Sequence, residues 1–173
     1  VGSVNVYKRQ AYGHKLISHD DSHRDFDSAL VIPDHKISWA IYENLGTNET
    51  KFYTFDAKKG DSFYASIVIP NLDGLEKFSS SLILLNDDMS NGNTPSSNIQ
   101  SSIQKFLYEG DYPGNEFYEP FGQVTYWERQ EVKTIIPEDG QYFILVLDEK
   151  NQSGKYSLAC LLYTSPSPRD KRQ

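Results

Sequence analysis

Cysteine and methionine each occur once in the 173 residues, and no apolar run approaches the length of a membrane span. A lone Cys160 excludes an internal disulfide framework. The short apolar runs exclude a transmembrane helix within the sequence. Basic charge is also scarce, 17 Lys and Arg against 24 Asp and Glu, so a net charge of -7 leaves no electrostatic footprint for nucleic acid. There is no Gly-rich phosphate loop, no serine elbow for a Ser/His/Asp triad and no EF-hand spacing. Carboxylate pairs such as Asp87-Asp88 and Glu138-Asp139 lack the tuned acid and shaped cleft of a two-carboxylate hydrolase. With no motif that fixes a reaction, the chain is expected not to be an enzyme.

What the sequence has is a globular balance, 38% hydrophobic and 24% charged, with 12 Tyr and 9 Phe. Residues 11–36 are polar, hold neither the helical nor the strand period, and read as an extended N-terminal arm. From Ile37 onward, short runs rich in aromatic and β-branched residues alternate with Gly, Pro, Asn and Asp, which is the strand signature. Strands are expected at Ile37–Leu45, Lys51–Ala57, Ser62–Ile69, Ser81–Leu85, Gln104–Tyr108, Gln123–Glu128, Glu131–Ile136, Gln141–Leu147 and Lys155–Ala159. Gly60 and Gly140 supply the turns expected to join Lys51–Ala57 to Ser62–Ile69, and Val132–Ile136 to Tyr142–Leu147, as antiparallel neighbours. Asn86–Ser102, rich in Ser, Asn and Asp, is expected as a long exposed loop. Eight or nine short strands with hardly any helix give an all-β antiparallel β-sandwich, jelly-roll-like, over residues 37–159.

The blocks ETKFYTFDAKKGDSFYASI, Glu49–Ile67, and TIIPEDGQYFILVLDEKNQSGKYSLA, Thr134–Ala159, resemble the pre-peptidase C-terminal β-sandwich family of prokaryotic exported proteins. Phe117–Arg129 departs from that pattern. The resemblance implies a non-catalytic accessory module, extracellular or in the cell envelope, that binds a surface or acts as a spacer within a larger protein. Its implied partners are the other domains of that protein and an envelope glycan or protein, with membrane contact only through an anchor outside this fragment. The ends resemble something else. VGSVNVYKRQ at Val1–Gln10 and CLLYTSPSPRD at Cys160–Asp170 resemble translated sequencing adapters of the transposase type. On that reading residues 1–10 and 160–173 are adapter-derived, the chain is a truncated metagenomic fragment, and both ends should be loose with few packed contacts. A strand running past Ala159 would still pair Leu161 and Tyr163, through their alternation alone.

Two constellations could carry chemistry. All four histidines, His14, His19, His23 and His35, fall close together among Asp20, Asp21, Asp25 and Asp27. Imidazole and carboxylate oxygen make a coordination shell for zinc, copper or nickel, and a four-residue spacing of His19 and His23 shares one face of a helix. The competing account is a solvated polar arm without a preorganised ligand set. The second is the aromatic and charged segment 117–129. Tyr118, Glu119, Phe121, Tyr126, Trp127, Glu128 and Arg129 could bind a ligand, stacking on a sugar ring as a carbohydrate-binding module. Alternatively, Tyr126 or Trp127 plugs the core and Arg129 pairs with Glu119 or Glu131. Calcium, if bound, would find its oxygens nearest Asn86–Asn93; otherwise no cofactor is expected. Asn48-Glu49-Thr50 and Asn151-Gln152-Ser153 are glycosylation sequons in expected turns.

Overall fold

The computed structural model describes residues 15–33, 37–86 and 103–163. His14, His35, the expected Asn86–Ser102 loop after its first residue, and the adapter-like segments 1–10 and 164–173 lie outside the described residues. The strands are β1 (Lys15–Leu16), β2 (Leu30–Val31), β3 (Trp39–Leu45), β4 (Thr50–Ala57), β5 (Ser62–Pro70), β6 (Ser81–Asn86), β7 (Gln104–Phe106), β8 (Glu116–Glu119), β9 (Val124–Ile135), β10 (Gly140–Leu147) and β11 (Gly154–Tyr163). They form a six-stranded sheet, β1-β3-β11-β5-β9-β8, and a five-stranded sheet, β2-β4-β10-β6-β7. Without the short edge strands and β8, the order β3-β11-β5-β9 over β4-β10-β6-β7 is that of a jelly roll. The expected fold class is therefore the observed one.

Strand-to-strand pairing differs from expectation. β4 and β5 belong to different sheets, and so do β9 and β10, so the turns at Lys58–Asp61 and Pro137–Gly140 are arches over the sandwich end rather than hairpins. Phe55 on β4 and Phe63 on β5 instead stack across the core, with ring centroids 5.3 Å apart. The two arches lie side by side. Gly60 N donates to Ile136 O at 2.9 Å, Ile136 N to Asp61 O at 2.8 Å, and Lys59 N to Asp139 Oδ1 at 2.7 Å. Gly60 has φ of +91°, a conformation that costs a residue with a Cβ, which fixes glycine at this tight crossover. The alternation of a strand says which side chains face the core, and an arch and a hairpin satisfy it equally well.

The expected strands Gln123–Glu128 and Glu131–Ile136 are one strand, β9, with a bulge opposite Ser66–Val68. The extra residue lets Val132 and Trp127, five positions apart, both reach the core. The core is otherwise Ile41, Leu45, Tyr53, Ile67, Leu82, Ile144 and Leu158 with their neighbours.

The arm is extended but does not stand clear of the sandwich. β1 pairs in parallel with β3 and β2 with β4, Ile32 enters the core, and Phe26 packs edge-on against Phe52 and Phe143, 5.0 Å from each. At the other end, the expectation of a loose segment from Cys160 fails for residues 160–163. β11 runs on to Tyr163 beside β5, with Cys160 and Leu162 buried, because the in-out alternation of residues 154–159 continues without a break. Burial pushes the Cys160 thiol up to about 12, so it packs as a small hydrophobe.

Candidate functional site

Glu43 lies on β3 between Ile41 and Leu45, all three facing the core, and its side chain is wholly buried. A carboxylate there must be matched or it costs several kcal/mol, on the order of the effective desolvation penalty of an ion. The Glu43 Oε2 atom accepts hydrogen bonds from His23 Nε2 and from the Tyr53 hydroxyl. Tyr53 in turn meets the Tyr156 hydroxyl at 2.6 Å. Burial pushes both phenols well above their ordinary range, helped by the Glu43 charge and, for Tyr53, by Tyr156, so both keep their protons.

The other half of the cluster comes from the arm. Asp21 has φ of +64°, and this turn, rather than a helix, brings the His19 and His23 rings to 4.7 Å, edge to face. His19 Nε2 lies 3.1 Å from Tyr42 O, and its Nδ1 accepts from Asp21 N at 3.1 Å. Glu43 Oε1 is 2.8 Å from His19 Nε2, but not aligned for a hydrogen bond. Two buried lone pairs are thereby left without a donor, Glu43 Oε1 and His23 Nδ1. At the rim, Lys51, itself fully buried, bonds Asp21 Oδ1 and lies 3.3 Å from Glu49 Oε1. Arg24 reaches Asp21 Oδ2 at 2.9 Å and Glu49 Oε2 at 3.0 Å. The Lys51 and then the Arg24 hydrogen bonds hold the Asp21 carboxyl down at about 2. One ligand atom from each of His19, Asp21, His23 and Glu43 lies within 4.8 Å of the others. Of the four histidines singled out in the sequence, the structure brings these two together.

The aromatic segment divides. Trp127 is in the core, Tyr126 is buried on the opposite face of β9, and Tyr118 and Phe121 are exposed, so these rings do not form a row. Glu119 caps the following turn, accepting from Phe121 N at 2.8 Å and from Gly122 N. Glu128 is half-buried, and desolvation, then the charge of Glu131, raises its carboxyl. Arg129 pairs with neither Glu119 nor Glu131. Its buried guanidinium donates to four carbonyls, Phe78 O at 2.7 Å, Glu76 O and Glu128 O at 3.1 Å, and Pro113 O. The rings of Tyr108 and Tyr112 lie 5.1 and 5.0 Å from its centre. A Cβ at Gly114, where φ is +102°, would meet Arg129 Nη1 and Glu128 O at 2.9 Å, so this loop can close on the guanidinium only with glycine.

The outer face of the six-stranded sheet carries a trench of about 900 Å³. Its floor is small, Ala40, Ser66, Ser157 and Ala159, and Tyr42 and Tyr126 lie across it joined through their hydroxyls. Burial and then that hydrogen bond push the Tyr126 phenol upward. Phe117 stacks on Tyr126, while Tyr42 and Phe121 are 46% and 68% exposed at the rims.

No protein-family model and no curated protein sequence matches the chain. Among solved structures it is similar to Aeromonas hydrophila PliG, a periplasmic lysozyme inhibitor of g-type lysozyme, at 14% identity over 86% of this chain and 95% of that one, with a TM-score of 0.44. It is similar to the pre-peptidase C-terminal domain of collagenase from Bacillus anthracis at 14% identity, over 76% and 93% of the two chains, TM-score 0.44. It is also similar to the Yersinia pseudotuberculosis-derived mitogen at 10% identity, over 80% and 94%, TM-score 0.42. The second is a domain of the family that the Glu49–Ile67 and Thr134–Ala159 blocks resemble. At these identities and scores the likenesses say nothing of ligand or activity.

Proposed function

We propose that the chain is a non-catalytic, extracytoplasmic accessory module of a larger exported or envelope-associated protein, and that it holds a surface or matrix polymer in the trench of its six-stranded sheet. The observation that carries this reading is the trench itself: a floor of small side chains between rims that expose the rings of Tyr42 and Phe121. Flat rings offer large contact area at little entropic cost, which suits an extended ligand lying across strands. The charged side chains along its lining also support a binding role over a catalytic one. Glu119 is occupied by two backbone amides, and Lys155 stands on β11 without an acid partner among the described residues, whereas the Glu43 side chain points away into the core. Reading the ligand as a polymer also agrees with the role implied by the family resemblance.

The test is co-sedimentation of the full chain with peptidoglycan sacculi, an insoluble polysaccharide and a fibrous matrix protein. Retention by one of these, reduced at least about fivefold, or about 1 kcal/mol, by replacing both Tyr42 and Phe121 with Ala, is the expected result. Retention by none, or retention indifferent to the double substitution, overturns the reading.

A further inference from the structure

We infer that His19, His23 and Glu43, with Asp21 at the mouth, form a binding site for one divalent transition-metal ion of the zinc class. Glu43 also borders the trench, but its side chain is wholly buried on the core face of β3, so the ion sits on the other side of that strand.

Three observations converge. The donor set is two imidazoles and carboxylate oxygen, with its ligand atoms within 4.8 Å of one another. That mixture of nitrogen and oxygen suits zinc and its neighbours, whereas calcium takes six to eight oxygens and magnesium keeps an octahedral shell of oxygens. Glu43 Oε1, 2.8 Å from His19 Nε2, and His23 Nδ1 are two of the five buried side-chain polar atoms without a hydrogen-bond partner among the described residues, and these two fall together in this cluster. Finally, with both imidazoles neutral the cluster is one positive charge short. Lys51 and Arg24, the nearby cations, are spent on Asp21 and Glu49, and Glu43 touches only imidazoles and phenols. A divalent ion supplies the missing positive charge.

The parts have distinct duties. Glu43, on a sheet strand and held by the Tyr53 hydroxyl, is the rigid ligand, with Tyr156 bracing Tyr53 behind it. The histidines ride on the arm and close over it. An ion on His19 Nε2 places the ring proton on Nδ1, so the Asp21 amide gives up its hydrogen bond there. Asp21 sits at the solvent side with its side chain 53% exposed, and completes the shell or yields the fourth position to water.

The experiment is titration of the chelator-stripped full chain with zinc chloride against a chromophoric competitor, followed by Co²⁺ substitution read by visible absorption. One zinc per chain, a tetrahedral-type Co²⁺ band, and no effect of calcium on either are expected. His19→Ala, at an arm position whose side chain is 16% exposed, should weaken zinc at least tenfold while the urea midpoint without metal is kept. Glu43→Gln should abolish the Co²⁺ band. No zinc uptake, uptake unchanged in His19→Ala and Glu43→Gln, or calcium binding in place of zinc would each overturn the assignment. Polymer retention by the trench is indifferent to all of these outcomes.

Discussion

Among the charged side chains buried in this sandwich, Arg129 and Glu43 are of opposite sign and are treated differently. Arg129 finds four backbone carbonyls and two aromatic faces; three of the carbonyls and both rings are set in place by the Glu76–Ser80 and Tyr108–Gly114 loops, and the fourth carbonyl, Glu128 O, is on its own strand. Glu43 finds donors for one oxygen only, from an imidazole and a phenol, and its other oxygen faces a second imidazole without a hydrogen bond. Carbonyl dipoles fixed in loops neutralise a guanidinium permanently, so Arg129 is a clasp that holds the fold. A carboxylate beside two imidazoles is matched only by what arrives. The contrast separates a buried charge that finishes a structure from one that begins a site.

The sharpest way to break this contrast is to remove the clasp. Arg129→Ala strands four carbonyls and should cost about 3–5 kcal/mol in urea unfolding. Arg129→Lys should recover little of it, because a point charge cannot reproduce the guanidinium fork. A cost below about 1 kcal/mol would mean the loops close without it. Glu43→Gln should do the reverse in chelator, leaving stability unchanged or raising it by up to about 2 kcal/mol, since an uncompensated buried charge is removed. Tyr53→Phe, which takes a donor from Glu43 and a partner from Tyr156, should lose about 1 kcal/mol by the same assay.

A second buried carboxylate, Asp148, sharpens the picture through pH. Burial alone would raise Asp148, but amides of Asn48, Lys150, Asn151 and Gln152 outweigh it and hold the carboxyl below its ordinary value. A depressed folded-state value stabilises the protein above the unfolded-state pKa of about 3.9 and loses that contribution as pH falls below it. Asp148→Asn should therefore cost on the order of 1 kcal/mol near neutrality, with the gap to the parent narrowing below about pH 4. A gap that stays constant down to acid pH would show that the loss is geometric. The smallest effect is expected at the trench rim, where Phe121→Ala should change stability by less than about 0.5 kcal/mol and register only in polymer binding.

The fold was legible where burial alternates, and opaque where topology had to be chosen. Phe63, Ala65, Ile67 and Ile69 of β5 announce a buried face, and all four are buried. Nothing in that spacing distinguishes a neighbour across a hairpin from one across the core, so the sequence suggests a hairpin where β4 and β5 are joined by an arch. The site was half legible. His19 and His23 stand out by residue type, but Glu43 is a strand residue whose signal is quieter, a carboxylate on the same face as Ile41 and Leu45. Lys51 carries the same signal, on the face of Tyr53 and Phe55. The partners of Arg129 are opaque in the sequence, because a guanidinium in a charged segment suggests carboxylates, whereas the loop carbonyls of Glu76 and Phe78 lie far off along the chain.

Urea unfolding of the full chain and of Glu43→Gln, each in chelator and in zinc at about 100 times the dissociation constant, tests the contrast most directly. Zinc should stabilise the parent by about 2.7 kcal/mol and leave Glu43→Gln unmoved, reversing the order of the two proteins between conditions. Equal shifts in both, or none in the parent, would contradict the account of Glu43 as an unfinished site.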